Sequence, residues 1–174
     1  VPNLIIDCDS NCTHRVCKLP QLGENYCPMA RFASSNYNGF SRAALSYPVY
    51  NLVTVPKYID NSISVFSELI SVANAIIRRI ELNNDDVIAI WGDGVLGYIL
   101  CCVLKQITKS KIFVVGKHHD KMEMFPADAF YFSDDPCIKK ENINTVFECV
   151  GGSNSEGAIN NIIDYIVPGG RIVL

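Results

Sequence analysis

Four sets of residues in this chain have types and spacing suited to chemistry. The first is Gly92-Asp93-Gly94-Val95-Leu96-Gly97, three glycines at G-x-G-x-x-G spacing between the apolar run Val87–Trp91 and a second apolar run, Tyr98–Lys105. In a strand-turn-helix, Gly92 lets the backbone turn off the strand. Gly94 removes the side chain where a pyrophosphate must approach, and Gly97 lets the helix lie close to the sheet. The amides of Val95 and Leu96 then point at the anion, and the helix dipole adds about 0.3–1 kcal/mol, up to about 2 where partly buried. Glycines also punctuate ordinary turns, so the alternative is a structural αβ turn. The apolar segment Lys111-Ile-Phe-Val-Val115 arrives where a βαβ unit needs its next strand, which favours dinucleotide binding.

The second set is Val115-Gly116-Lys117-His118-His119. About twenty residues after such a turn, an NAD-binding unit presents an acid to the ribose 2'-hydroxyl. Here Gly116 and Lys117 occupy that place. A carboxylate about 4 Å from a 2'-phosphate costs roughly 1 kcal/mol per charge pair in water and about 4 at an effective dielectric near 20, so its removal favours NADP. Lys117, with His118 or His119, then pairs with the phosphate; the competing reading is a solvated loop, and Asp120 stands nearby.

The third set is Cys8, Cys12, Cys17 and Cys27, spaced C-x3-C-x4-C-x9-C with Pro20 and Gly23 inside. So polar and irregular a lobe has little apolar surface to order it. A tetrahedral structural zinc is one way to do so, and free thiols in a loop are the alternative. The fourth is Glu68, a carboxylate flanked by Phe66, Leu69 and Ile70. From the residues alone it reads as a solvated first-turn glutamate stabilised by the helix dipole, with a functional role as the other option.

The elements that must position these groups follow from periodicity. Residues 38–47 and 50–55 read as two antiparallel strands divided at Pro48 and ended by Pro56. After Asp60 and Asn61, Phe66, Leu69, Ile70, Ala73, Ile76, Ile77 and Ile80 recur at helical spacing, with Arg78 and Arg79 near the helix end. Beyond the glycine turn, strands are expected at 129–132, 145–150 and 171–174, with a helix at 153–166. Such alternation means an α/β fold with a doubly wound parallel sheet whose ligand lies at the strands' carboxyl ends.

Composition excludes several classes of function. At 174 residues and 49% hydrophobic content the chain can bury a substantial core, and its net charge of −3 with no run of Lys and Arg argues against nucleic acid. No stretch is long and apolar enough to span a bilayer and no leader is visible, so a cytoplasmic protein without membrane contact is expected. The eight cysteines then read as metal ligands and thiols rather than a disulfide framework. Val1-Pro2 and Gly169-Gly-Arg-Ile-Val-Leu174 both read as interior positions, so an internal fragment is expected.

In the order of its pieces the chain resembles the zinc-type medium-chain dehydrogenase/reductase superfamily, the alcohol and polyol dehydrogenases. Gly23-Glu-Asn-Tyr-Cys-Pro28 looks like the end of that family's structural-zinc lobe. Asn38-Gly39-Phe40 and Val55-Pro56 look like its return to the GroES-like, β-rich catalytic domain. Ser67-Glu-Leu-Ile-Ser71, Ala75-Ile-Ile-Arg-Arg-Ile-Glu81, Ile90-Trp-Gly-Asp-Gly-Val-Leu-Gly-Tyr98, Val115-Gly-Lys117 and Phe147-Glu-Cys-Val-Gly-Gly152 look nearest to the ribulose-5-phosphate reductases. The resemblance implies part of the catalytic domain at 1–66 and a Rossmann dinucleotide-binding domain, incomplete at its end, at 67–174. It implies NADPH-dependent, zinc-assisted reduction of ribulose 5-phosphate to ribitol 5-phosphate, supplied to CDP-ribitol and to teichoic acid or capsule polymers. Glu68 becomes a ligand or neighbour of a catalytic zinc, and Cys149 and Val150 line the cofactor cleft. A homodimer of the whole protein, and a cytidylyltransferase as partner, are further implications. The family's other catalytic-zinc donors have no match in this sequence, and the cysteine spacing is wider than the family's pattern, so residues 1–174 alone are expected to be inactive. The alternatives are a polyol or alcohol dehydrogenase of the same superfamily acting on an unphosphorylated substrate, and a catalytically idle nucleotide-binding or interaction module.

Overall fold

The computed structural model describes residues 27, 28, 30, 32, 33, 38–47, 49 and 52–174. The chain divides into two compact units, Val1–Glu68 and Leu69–Leu174.

Among the described residues of the first unit, the two expected strands are absent. Residues 38–47 and 52–55 are irregular, with isolated bridges at Phe32, Ala33 and Leu52. Alternating apolar residues become a strand only where a partner backbone and a surface to bury against are both within reach. Leu52 and Val53 instead stay 50% and 67% exposed. The single long helix expected after Asp60 is also broken. Asp60 caps α1 (Asn61–Ser64) by accepting from the Ser62 amide at 2.7 Å, and α2 (Ser67–Ile77) starts afresh after Val65 and Phe66. The hydroxyls of Ser64 and Ser67 donate back to the carbonyls of Asn61 and Ser64, at 3.0 and 2.6 Å, which competes with a continuous helix. Phe66, counted on the apolar face, is exposed at the break, and Arg78 and Arg79 follow the last turn of α2 instead of lying in it.

The second unit has the expected doubly wound form. In chain order come β1 (Val87–Trp91), α3 (Val95–Ile107), β2 (Lys111–Gly116), α4 (His119–Met122), β3 (Ala129–Phe132), β4 (Thr145–Glu148), α5 (Ser155–Ile163) and β5 (Arg171–Val173). Short 3-10 turns at Pro136–Glu141 and Gly152–Asn154 precede β4 and α5. The strands form one parallel sheet in the order β3-β2-β1-β4-β5. Its central strands read as unbroken apolar runs because both faces are covered. Ile88, Ile90, Ile112, Val114 and Phe147 pack with Leu100, Cys101 and Leu104 of α3 and Ala73 of α2. Ala89, Trp91, Phe113, Val115 and Val146 face the other layer, with Ile138, Ile143 and Ile162 of α5. β4 ends at Glu148 and α5 spans fewer residues than expected at both ends, since Cys149–Asn154 are needed to turn the chain at the sheet's carboxyl edge.

A polar clamp closes the opposite edge. Buried Asp86 accepts from the Asn83 amide at 2.8 Å, from Asn144 Nδ2 at 3.2 Å and from Arg171 Nη2 at 2.7 Å, and Arg171 Nε donates to Thr145 Oγ1 at 2.9 Å. The amino ends of β1, β4 and β5 are thereby tied together. Removing the shared acceptor leaves its donors unpaired. The partial exposure of Arg171 softens that loss, so Asp86→Ala is expected to cost about 2 kcal/mol. Urea titration of the whole protein checks this, and an unmoved midpoint would show that the clamp contributes nothing.

Candidate functional site

The turn leaving β1 is built from backbone packed on backbone. Gly92 has φ +129°, and a Cβ there would lie 2.7 Å from the Cys149 carbonyl carbon. The Gly92 amide donates to Val115 O at 2.8 Å, fastening the turn to the end of β2. A Cβ on Gly97 would lie 2.5 Å from Gly92 O, so α3 can approach the turn only without a side chain. Around Gly94 a Cβ would meet nothing within 4 Å, and no side chain caps α3 at this residue. The first amides of α3 and the positive end of its dipole therefore face open space.

Two carboxylates arrange the neighbouring loops. Asp93 Oδ2 accepts from the amides of Lys117 and His118 at 2.8 and 2.7 Å, and from His118 Nδ1 at 2.9 Å. Gly116 belongs to this arrangement, because a Cβ on it would sit 2.8 Å from the Asp93 side chain. Partial burial pushes the Asp93 carboxyl up, and the amides of Lys117 and His118 with the His118 ring outweigh it, holding the group below the usual carboxylate range. A carboxylate thus does stand at the end of β2, contrary to the reading of Gly116-Lys117. It comes from the glycine turn, and the missing side chain of Gly116 makes the room. Glu148 acts likewise after β4. Its Oε1 accepts from the amides of Val150 and Gly151 at 2.7 and 2.9 Å, and its Oε2 from Ser155 Oγ at 2.8 Å. Burial, and secondarily the charge of Glu148, push the Cys149 thiol up to about 12, so it is neutral at physiological pH.

These parts border a cleft of about 700 Å³ at the carboxyl ends of the strands. Of the residues singled out from the sequence, Gly92, Asp93, Gly94, Gly116, Lys117, Cys149 and Val150 line it together. Val95, Leu96 and Gly97 open α3 beside it. His118, read from the sequence as a possible partner of the phosphate, lines it too, as do Ser133, Asn154 and Asn161, which were not singled out. Glu148, which shapes its rim, carried one signal: an acid at the end of an apolar strand, three residues before a glycine. The Oδ1 atom of Asn161 is buried with no partner among the described residues. An uncapped helix end, an orphaned acceptor and a volume within the 300–1,000 Å³ common for ligand sites suit a dinucleotide.

Most of the residues proposed for zinc cannot be placed against one another, because they fall outside the described residues. Cys8, Cys12 and Cys17 lie outside the described residues, Cys27 is buried, and Glu68 sits partly buried in the first turn of α2. Among the described residues no three His, Cys, Asp or Glu side chains form a group able to hold a metal ion. No helix among them is long and apolar enough to cross a membrane.

Comparison with known proteins places this geometry. No family model matches the chain. The chain is 38% identical over 159 residues to ribulose-5-phosphate reductase 1 of Staphylococcus aureus, covering 88% of this chain and 46% of that protein. It is 36% identical over 158 residues to ribulose-5-phosphate reductase of Bacillus spizizenii, with the same coverage. Among solved structures, Staphylococcus aureus TarJ in complex with NADPH is 41% identical with a TM-score of 0.64, covering 70% of this chain and 40% of that one. The chain is thus similar, over most of its own length, to part of the ribulose-5-phosphate reductases. The fold is shared more widely: alcohol dehydrogenase TADH from Thermus sp. ATN1 matches with a TM-score of 0.80 at 20% identity, over 99% of this chain and 53% of that one. The chain spans less than half the length of the curated relatives it matches.

The two glycines flanking the helix start differ sharply in what surrounds them. Gly97→Ala is expected to cost about 1–3 kcal/mol through overpacking against the Gly92 carbonyl, and Gly94→Ala no more than about 1, the difference between glycine and alanine as a helix cap. Thermal denaturation of the two variants compares them directly, and equal losses would remove the close-packing role of Gly97.

Proposed function

We propose that the whole protein is an NADPH-dependent oxidoreductase that reduces ribulose 5-phosphate to ribitol 5-phosphate, with residues 67–174 as dinucleotide-binding domain and residues 1–66 as part of the catalytic domain. The observation that carries this reading is the uncapped start of α3 beside Gly94, open to the cleft at the strands' carboxyl ends. The relatives named ribulose-5-phosphate reductase and the NADPH complex of TarJ support the choice of substrate and cofactor.

NADPH, when bound, supplies the hydride that turns a ketone into a secondary alcohol. The chain's own residues bind and orient. The amides of Val95 and Leu96 would hold the pyrophosphate at the dipole's positive end, and Lys117, exposed at the end of β2, would meet the 2'-phosphate. The neutral thiol of Cys149 and the side chain of Val150 would give the cleft a wall with no charge to attract water. Glu68 alone is no zinc site; a zinc ion would need donors from outside the described residues.

Calorimetry on the whole protein is expected to show NADPH binding more tightly than NADH; equal or reversed affinities would remove the NADP assignment. Gly94→Val should abolish binding of both while leaving the circular dichroism spectrum unchanged, and retained binding would count against the site. Rates of NADPH oxidation with ribulose 5-phosphate and with ribulose, set beside NADP reduction with sorbitol, then test the substrate: a faster rate with either unphosphorylated compound would favour a polyol dehydrogenase.

A further inference from the structure

A negative charge stands where a phosphorylated ribose would arrive. Asp93 reaches from the glycine turn into the space beside Gly116, and its side chain is only 14% exposed, so solvent screens it less than a surface acid. Two of its three donors are main-chain amides. The third is the ring of His118, whose Nδ1 faces the carboxylate at 2.9 Å and must donate to it, since two lone pairs cannot share that distance. All three bonds fall on one oxygen, Oδ2. Asp93, Gly116, Lys117 and His118 line one cleft.

We infer that His118 is a specificity-determining residue for the cofactor: by donating its ring N–H to Asp93 it draws off part of the negative potential of a carboxylate that would otherwise repel the 2'-phosphate of NADPH more strongly. The inference rests on the dinucleotide reading above and divides the work between neighbours. Lys117, on a flexible exposed stem, attracts the phosphate as a point charge. The ring N–H of His118 weakens what would oppose it. The unphosphorylated ribose of NADH carries no charge for Asp93 to repel, so the pair discriminates between the two cofactors and does more than hold a loop.

The test is a double-mutant cycle on the whole protein, read by calorimetry as the ratio of NADPH to NADH affinity. The His118 side chain is 54% exposed, so its removal disturbs little packing. His118→Ala is expected to weaken NADPH by about tenfold and NADH by less than about twofold. Adding Asp93→Asn should restore most of the NADPH affinity, because the amide oxygen still accepts from the Lys117 and His118 amides while carrying no charge. Asp93→Asn alone, with His118 present, should change the ratio by less than about threefold. Equal losses for both cofactors in His118→Ala would reduce His118 to a structural role. A loss confined to NADPH that Asp93→Asn does not restore would mean that His118 touches the phosphate itself. An unchanged ratio would show that Asp93 was never opposed to the phosphate. Each of these overturns the inference while the unmodified protein still binds NADPH. Failure of the unmodified protein to bind either cofactor would instead overturn the dinucleotide reading and take this inference with it.

Discussion

The cleft depends on how closely α3 can approach the turn that leaves β1. That turn, the start of α3 and the chain just past β4 meet as three stretches of backbone: a Cβ on Gly97 would lie 2.5 Å from Gly92 O, and one on Gly92 would lie 2.7 Å from the Cys149 carbonyl carbon. Each glycine carries a conformational-entropy penalty of about 0.5–1 kcal/mol relative to alanine. The cost is offset by the apolar layer beneath, where Leu100, Cys101 and Leu104 of α3 are fully buried against Ile88, Ile90 and Val114. With no flexible side chain between the pieces, the helix end cannot drift relative to the strands. Its orphan amides are therefore held at one place above the sheet.

The flanking loops are fixed by a different device. In a parallel sheet every strand ends at the same edge and hands its chain to a loop whose amides lack ladder partners. Asp93 and Glu148 take up four of these amides, those of Lys117, His118, Val150 and Gly151. Loops held this way lose little freedom when a ligand arrives, so less of the binding free energy goes into ordering them. The same bonds settle which amides meet an anion. The loop donors are turned inward onto carboxylates, whereas α3 begins at a glycine that no side chain caps. The main chain thereby concentrates its positive potential at one point.

Much of this unit was legible in the sequence, and the reasons separate what was read from what was missed. The apolar runs at Val87, Tyr98, Lys111 and Ala129 and the spaced glycines are local signals, and β1, α3, β2 and β3 follow from them. β4 and α5 were placed but overextended, because the Glu148 and Ser155 bonds that end them join residues through the shape of a turn and leave no periodicity. The role of Asp93 was hidden for a similar reason. An acid inside a glycine motif says nothing of where it points until the end of β2 is set beside it, and only then does Gly116 become the gap it fills. Residues 38–47 and 52–55 failed in the opposite direction: their composition suits strands, yet no ladder forms among them. Cys8, Cys12 and Cys17 lie outside the described residues.

The two edges of the sheet are coupled although they do different work. At the amino edge, Asp86, Asn144, Thr145 and Arg171 tie β1, β4 and β5. At the carboxyl edge, Trp91 and Glu148 stand side by side, where the chain turns into the cleft. Between the edges runs one register, Ile88 opposite Thr145 and Trp91 opposite Glu148. A slip of a single residue would turn every side chain of β4 to the opposite face, exchanging Phe147 of one apolar layer with Val146 of the other. Glu148 would then no longer reach Val150, Gly151 and Ser155, and Cys149 would leave Gly92. Asp86, at the centre of the clamp, stands five residues before Trp91, about 16 Å from the cleft along the strand at roughly 3.3 Å per residue. It touches nothing there, yet by fixing the register it determines which backbone meets Gly92 and so where the helix end can stand.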